Sequence, residues 1–252
     1  MWRNFLLAHR SYEIASKLNP NHYGARYGLA LMKHLLGRVG ESVVVYFQAL
    51  ALRPQSFEAN HHVAAALLQL GRAPEAVNYG KRAVELQRHH QGAWANLGAA
   101  YNLTGHYDQA VDAYRRAVEF GDPAEPILQG LAYAHMMLRR YDRAIVVLRD
   151  QNPHEPSALA SQRLGYCHFK LQQFEQSLAS YRTALSINPD DTLALNGAAI
   201  SLMALQLKSE ENDDPKHRDV AIRLWRRSVR LRDDQPLIHA LIARYTVAVA
   251  SE

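Results

Sequence analysis

The chain has 252 residues, of which 48% are hydrophobic and 21% charged, and it carries a formal net charge of +5 at pH 7. These proportions are ordinary for a folded soluble protein. No run approaches the roughly 18 apolar residues of a membrane-spanning helix, and the N-terminal residues do not form a secretory signal. With a lone cysteine, Cys167, the chain can form neither an internal disulfide nor a zinc–thiolate cluster. We therefore favour a cytoplasmic protein without a membrane span.

Small and aromatic residues recur along the chain at a step of 34 residues. The alanine series comprises Ala15, Ala49, Ala83 and Ala117, and the glycine series comprises Gly37, Gly71 and Gly105. A period of this length predicts a stacked-repeat protein, in which each unit buries its apolar face against its neighbours.

The best-formed unit spans residues 91–124. Its first predicted helix carries Trp94, Leu97, Gly98 and Tyr101 on one face, and its second carries Ala110, Tyr114 and Ala117. These residues and their spacing closely resemble the tetratricopeptide repeat, and the resemblance covers essentially the whole chain. It implies an all-α fold: an α-α superhelix, or right-handed solenoid, of stacked helix hairpins. It also implies that first helices line a concave groove and that second helices form the convex back.

With this unit as the frame, residues 1–252 form a single array. Residues 1–22 are predicted to be a half repeat with only a second helix. Full repeats follow at residues 23–56, 57–90, 91–124, 125–157, 158–191 and 192–235, and a C-terminal helix occupies residues 236–252. The fourth repeat is one residue short around residues 151–153. The sixth contains a polar insertion near residues 207–219, predicted to be a surface loop, and its second helix is expected to resume at residue 220. The array therefore predicts fourteen helices.

The opening half repeat leaves an apolar helix side without its usual partner. Trp2, Phe5 and Leu6 would face a preceding first helix that this sequence does not contain. Either the chain belongs to a longer array or another molecule covers this side, and we favour the longer array.

The family resemblance implies that partners contact particular places of each repeat, all on first helices. In this sequence the resulting candidate groove residues are Tyr27, Leu31, His61, Asn96, Tyr133, Met136, Met137, Arg163, Tyr166, Phe169, Lys170, Asn196, Ile200 and Met203. The groove formed by the later repeats is predicted to be aromatic and rich in methionine, which suits an apolar peptide or an amphipathic helix. An alternative is that several of these side chains pack between adjacent helices.

Other functions are less well supported by the residues. The chaperone-tail clamp of some family members would need lysine, asparagine and arginine at places where only Asn96 matches. Basic pairs such as Arg115 and Arg116 recur on second helices without interleaved aromatic residues, so nucleic acid is not the expected partner. Adjacent histidines on a helix point about 100° apart and chelate one ion poorly. No catalytic motif is present, and we expect no cofactor, no metal site and no enzymatic activity.

The sequence therefore predicts a non-catalytic scaffold or adaptor for protein–protein interaction, which binds a peptide or helical segment of a partner in its concave groove. Two alternatives stay open. One is self-association or assembly, through the N-terminal half repeat or the C-terminal helix. The other is a regulatory repeat region of a larger enzyme.

Overall fold

The computed structural model describes residues 2–122, 124–149, 157–208 and 215–247. These residues form fourteen α-helices and no strand. The helices are α1 (Trp2–Leu18), α2 (Tyr23–Leu35), α3 (Val39–Leu52), α4 (Phe57–Gln69), α5 (Ala73–Leu86), α6 (Gln91–Leu103), α7 (Tyr107–Glu119), α8 (Glu125–Met137), α9 (Tyr141–Arg149), α10 (Ala158–Lys170), α11 (Phe174–Ile187), α12 (Thr192–Lys208), α13 (Pro215–Leu231) and α14 (Pro236–Val247).

The helices confirm the predicted all-α fold of successive helix hairpins. The even-numbered helices from α2 to α12 begin at the first residue of each predicted repeat, and α1 and α14 are the predicted lone helices. The sixth repeat differs in detail, because α12 runs on to Lys208 and α13 begins at Pro215, five residues before the predicted start. The predicted loop is correspondingly shorter. Its residues 209–214, the short segment at 151–153 and the side chain of Trp2 lie outside the described residues.

First helices begin at a capping side chain that closes the preceding repeat. Ser56 accepts a hydrogen bond from the Ala59 N–H at 3.1 Å, and His22 and His90 do the same through Nδ1 for Ala25 and Ala93. Such caps satisfy backbone donors that have no partner within the helix, and each contributes about 1 kcal/mol. The local sequence thus fixes where these helices start.

The turn inside each of the first five repeats needs a left-handed residue at the fifteenth place. Gly37, Gly71 and Gly105 have φ values of +77°, +71° and +77° there, and the corresponding Arg139 and Gln172 have φ values of 57° and 59°. A left-handed residue lets the next N–H groups bond back to the last carbonyls of the first helix. The Arg72 N–H, for example, donates to the Leu67 carbonyl at 2.9 Å.

The chain divides into two compact units, residues 1–134 and 135–252. In the first, α2 contacts α4 and α4 contacts α6, and in the second α10 contacts α12. Among the described residues, second helices make no contact of that extent with one another. First helices therefore lie closer together than second helices within each unit, which places the concave side of each stack on the first helices.

Tyrosines of second helices pack against glycines of the flanking first helices. In the second unit, the buried Tyr181 ring of α11 lies against Gly165 of α10 and Gly197 of α12. A Cβ atom added to these glycines would come within 2.8 Å and 2.2 Å of the ring, so neither position has room for a larger residue. Tyr114 fills the same place between Gly98 and Gly130 in the first unit. These contacts fix the spacing of the helices that carry the candidate groove residues.

Candidate partner-binding surfaces

All fourteen candidate groove residues lie on first helices. The first unit carries Tyr27 and Leu31 on α2, His61 on α4, Asn96 on α6 and Tyr133 on α8. The second unit carries Met136 and Met137 at the end of α8, Arg163, Tyr166, Phe169 and Lys170 on α10, and Asn196, Ile200 and Met203 on α12. Their environments differ greatly, so we describe the two units separately.

In the first unit, polar groove candidates bridge successive first helices. The Tyr27 hydroxyl lies 3.2 Å from Nδ1 of His62, and Asn96 Nδ2 lies 3.5 Å from Nδ1 of His61. Nδ1 of His62 also lies 2.7 Å from the Glu58 carbonyl oxygen, so this nitrogen carries the proton and donates to the carbonyl. These residues join one repeat to the next, as the alternative interpretation of the sequence expects.

A continuous cluster of histidine and aromatic rings lies behind these bridges. The His61 ring stacks on Phe57 at 5.6 Å between ring centroids and meets His62 and His90 edge-on at 5.2 Å and 5.0 Å. Burial first, and then the neighbouring His62 and His90, lower the pKa of His61 to about 4. The imidazole is therefore neutral at pH 7. We did not predict this cluster, although the histidine pairs at 61–62 and 89–90 were its signal in the sequence.

The described residues include side chains that ligate metals in other proteins and one cysteine. No group of three or more His, Cys, Asp or Glu side chains among them is placed to hold a metal ion. Burial raises the pKa of the Cys167 thiol to about 12, although the nearby Arg163 lowers it slightly. Since the thiolate is the nucleophilic form, Cys167 acts as a small core residue of α10.

In the second unit, aromatic side chains and lysines gather where α10 turns into α11. The Tyr166 ring meets Tyr141 edge-on at 6.1 Å, and the Phe169 ring lies 5.5 Å from Phe174. The Lys170 ammonium lies 5.3 Å from the Tyr166 ring centroid, and Lys208 lies 6.0 Å from that of Phe174. We call Tyr141, Tyr166, Phe169, Lys170, Phe174 and Lys208 the aromatic–lysine surface. Tyr166 remains 39% exposed, so this surface combines accessible apolar area with positive charge.

Not every candidate of the second unit is accessible. Met203 was predicted to line the groove, but it is only 7% exposed and packs in the core with Trp225 and Ile238. The prediction was wrong because α13 and α14 contribute to a core that encloses α12. Ile200 packs partly against the same core, Met136 packs against the core around Cys167, and Arg163 is half-buried.

Asn196 of α12 has a structural partner. Its Nδ2 donates to Oε1 of Gln235 at 2.7 Å, which ties α12 to the segment before α14. Met137 differs from these residues, because it remains 45% exposed at the end of α8. The accessible candidates of this unit are therefore Met137, Tyr166 and Lys170.

The basic pairs of the second helices are partly neutralised. Arg82 pairs with Glu85 at 2.7 Å and Arg116 with Glu119 at 2.8 Å, each three residues away on the same helix. Arg227 pairs with Asp190 at 2.9 Å. These ion pairs offset part of the positive charge that the sequence places on second helices. In the part of the chain that the structure describes, no helix is long and apolar enough to cross a membrane.

Comparisons with known proteins agree with the geometry. A family model described as tetratricopeptide repeat matches residues 92–120 and 158–191, and a second model of the same description matches residues 3–57. A sequence search of curated proteins found no match.

Solved structures with the same fold were found at low sequence identity. The chain is similar to PilF of Pseudomonas aeruginosa, with 13% identity and a TM-score of 0.67 over 88% of this chain and 97% of that one. It is also similar to YrrB, which is described as a TPR protein with an unusual peptide-binding site. The identity is 16% and the TM-score 0.61, over 77% of this chain and 96% of YrrB. A tetratricopeptide repeat protein from Parabacteroides merdae is 14% identical, with a TM-score of 0.61. That match covers 96% of this chain and 92% of that one.

Stacked helix hairpins on a 34-residue period, with first helices side by side, define an α-helical repeat protein. Residues 3–57, 92–120 and 158–191 of this chain are tetratricopeptide repeats by these models. This fold generally serves as a scaffold for protein–protein interaction.

Proposed function

We propose that this protein is a non-catalytic adaptor that binds an acidic, apolar peptide or helical segment of a partner on the first-helix side of its second unit. The observation that carries the proposal is the aromatic–lysine surface, where the exposed Tyr166 lies beneath the Lys170 ammonium. Tyrosine supplies a large contact area at low cost in conformational entropy, and the lysines attract a negatively charged segment.

The first unit supports this proposal less strongly. Tyr27, His61 and Asn96 make contacts between repeats that a bound peptide would have to replace. Leu31 lies on the same side, and Tyr133 meets Tyr107 edge-on at 6.2 Å. We therefore place the main binding energy in the second unit, at Met137, Tyr166, Phe169 and Lys170.

Selection from a random peptide library tests the proposal. We expect the wild-type protein to enrich peptides that combine acidic with apolar residues, and the double variant Tyr166→Ala/Phe169→Ala to enrich markedly fewer of them. Lys170→Glu leaves the packing in place, so it should retain apolar peptides and lose the preference for acidic ones. Val146→Ala removes an exposed apolar side chain from the second helix α9 and serves as the matched control. Equal enrichment by all four proteins would contradict the proposal.

Self-association is the second candidate function, and α1 favours it. Leu7, Ile14 and Leu18 lie on one side of this helix at helical spacing and are 56%, 59% and 81% exposed. An apolar row of this kind is typical of a protein contact surface.

A further inference from the structure

The contact between the second and third repeats differs in sequence from the one before it. Trp94 stands where the two earlier repeats have Asn60 and Arg26. Arg88 stands where earlier units have Pro54 and Pro20. Phe120 stands where earlier second helices have leucine, at Leu86, Leu52 and Leu18. We call the contact formed by Arg88, Trp94 and Phe120 the aromatic seam. It lies in the first unit, where the end of α5 and the end of α7 meet the start of α6.

One hydrogen bond is retained despite these replacements. The Asn60 side chain donates to the Pro54 carbonyl at 3.1 Å, and the Trp94 indole Nε1–H donates to the Arg88 carbonyl at 2.7 Å. Arg26 makes the equivalent bond to the Pro20 carbonyl. The seam thus keeps its connection between repeats while it presents different side chains.

The replacements surround a cavity of about 390 Å³. Buried Val84 and half-buried Trp94 and Phe120 form its apolar walls, and the His89 ring meets Phe120 edge-on at 4.9 Å. Glu85, Arg88 and Arg116 complete the lining, and all three are exposed. Its volume falls in the range of ligand pockets, with an apolar interior and a few polar groups at the mouth.

Arg88 gives this mouth an uncompensated positive charge. The other charged groups at the rim are paired, Glu85 with Arg82 and Arg116 with Glu119. Among the described residues, the Arg88 guanidinium makes no ion pair or side-chain hydrogen bond. The carbonyl ends of α5 and α7 carry partial negative charge, but the Gln87 and Phe120 N–H groups cap the Ala83 and Arg116 carbonyls.

From this arrangement we infer a second binding site, separate from the aromatic–lysine surface. The aromatic seam binds a partner segment that inserts a phenylalanine side chain between Trp94 and Phe120 and sets the carboxylate of an adjacent glutamate on Arg88. Guanidinium and carboxylate match in geometry, since two parallel N–H groups donate to two oxygens. Because the polar lining residues are all exposed, the segment can continue in both directions, which favours an internal acidic residue over a chain terminus.

Titration with short peptides, followed by NMR of the ¹⁵N-labelled protein, tests the inference. The probes are acetyl-Ala-Phe-Glu-Ala-amide and its glutamine counterpart, acetyl-Ala-Phe-Gln-Ala-amide. We expect the glutamate peptide to shift the Trp94 indole N–H signal saturably. The glutamine peptide should bind about 10-fold more weakly or worse, because it loses a charge-assisted hydrogen bond. Trp94→Phe assigns the signal.

Two variants restore residues that neighbouring repeats already carry. Arg88→Pro should remove the difference between the two peptides, and Phe120→Leu should weaken both. The Arg88 N–H makes no backbone hydrogen bond within the described residues, so proline fits there as Pro54 does. Arg223→Gln, which changes an exposed arginine of α13, is the control and should bind as the wild type does.

Three results would overturn the inference: no saturable shift of the Trp94 signal at millimolar peptide, equal binding of the two peptides, or unchanged binding by Arg88→Pro. Tyr166→Ala/Phe169→Ala separates this site from the proposed groove. Its peptide titration at Trp94 should match the wild type, even if its library selection fails.

Discussion

The fifteenth place of the repeat shows how a single residue can strain or relax a turn. Gln172 holds a φ of 59° at a place where three earlier repeats have glycine. A left-handed conformation costs an L-residue roughly 1–2 kcal/mol, and part of this is offset because glycine loses more backbone entropy on folding. We therefore expect Gln172→Gly to stabilise the protein by about 0.5–1 kcal/mol, measured by urea unfolding.

Gly105→Gln makes the reverse change at the same place of another repeat, and it should destabilise by a similar amount. A Cβ atom at Gly105 would meet no atom within 4 Å, so the backbone conformation alone is tested. If Gln172→Gly lowers the urea midpoint, the left-handed turn is not the source of strain.

His61 makes the stability of the first unit depend on pH. Burial lowers its folded-state pKa to about 4, against 6.5 for the ordinary side chain. Between these values the unfolded chain binds a proton that the folded chain does not, so stability rises with pH from about 4 to 6.5 and is level outside this window. We expect about 1–2 kcal/mol less stability at pH 4 than at pH 7 from this group, after allowance for solvent screening.

His61→Phe preserves a ring against Phe57 and removes the titrating group. Its unfolding free energy should vary less between pH 4 and 7 than that of the wild type. Val77→Ala, at a half-buried site of the first unit that does not titrate, is the control and should leave the dependence unchanged. The same slope in all three proteins would refute a role for His61.

At the scale of the element, spacing between helices depends on the tyrosine and glycine contacts. A Cβ atom at Gly197 would lie 2.2 Å from the Tyr181 ring, so α12 must move away from α11 to accept one. We expect Gly197→Ala to destabilise by about 1–3 kcal/mol, measured by thermal or urea unfolding. Gly40→Ala adds a methyl group to α3 where no atom lies within 4 Å, and it should be neutral or slightly stabilising.

A double-mutant cycle locates the cause of the Gly197→Ala effect. Tyr181→Ala removes the ring that the new methyl group would meet, so Gly197→Ala should cost much less in that background. Additive effects of the two substitutions would show that the close approach is not responsible.

Helix bounds were predictable for a physical reason that applies to each element. Glycine at the fifteenth place of the first three repeats acts locally, as do capping side chains such as His22, Ser56 and His90, and both are visible in the sequence. The exceptions are equally local. The sixth repeat has no left-handed residue at its fifteenth place, Gln206, so α12 continues to Lys208. Met203 occupies a groove place in sequence, but its burial depends on α13 and α14, which no local pattern reveals.

For the whole molecule, the sequence predicted the array of hairpins but not which surfaces would be accessible. The family resemblance placed all fourteen candidates on first helices, because it gives their positions in the repeat. Whether His61 approaches Asn96, or Tyr27 approaches His62, depends on a side chain of the neighbouring repeat. Such contacts combine residues about one period apart, and several geometries fit the same spacing.

Self-association is a property of the whole molecule and can be measured directly. The second candidate function predicts that sedimentation of the wild-type protein depends on concentration and that Leu7→Glu/Ile14→Glu sediments as a monomer. Val146→Glu introduces a charge at an exposed position of α9 and should sediment as the wild type does. A wild-type protein that is monomeric at every concentration would contradict self-association.

At one place in three successive repeats, Arg26, Asn60 and Trp94 each donate a hydrogen bond to a carbonyl of the preceding repeat. This recurrence has an evolutionary consequence. A guanidinium, an amide and an indole all supply the N–H that joins one repeat to the next, so drift at this position need not break the array. The rest of the side chain can therefore differ from one repeat to the next. Recognition at such junctions can diversify, or be grafted by design from one junction to another, while the hydrogen bond between repeats is retained.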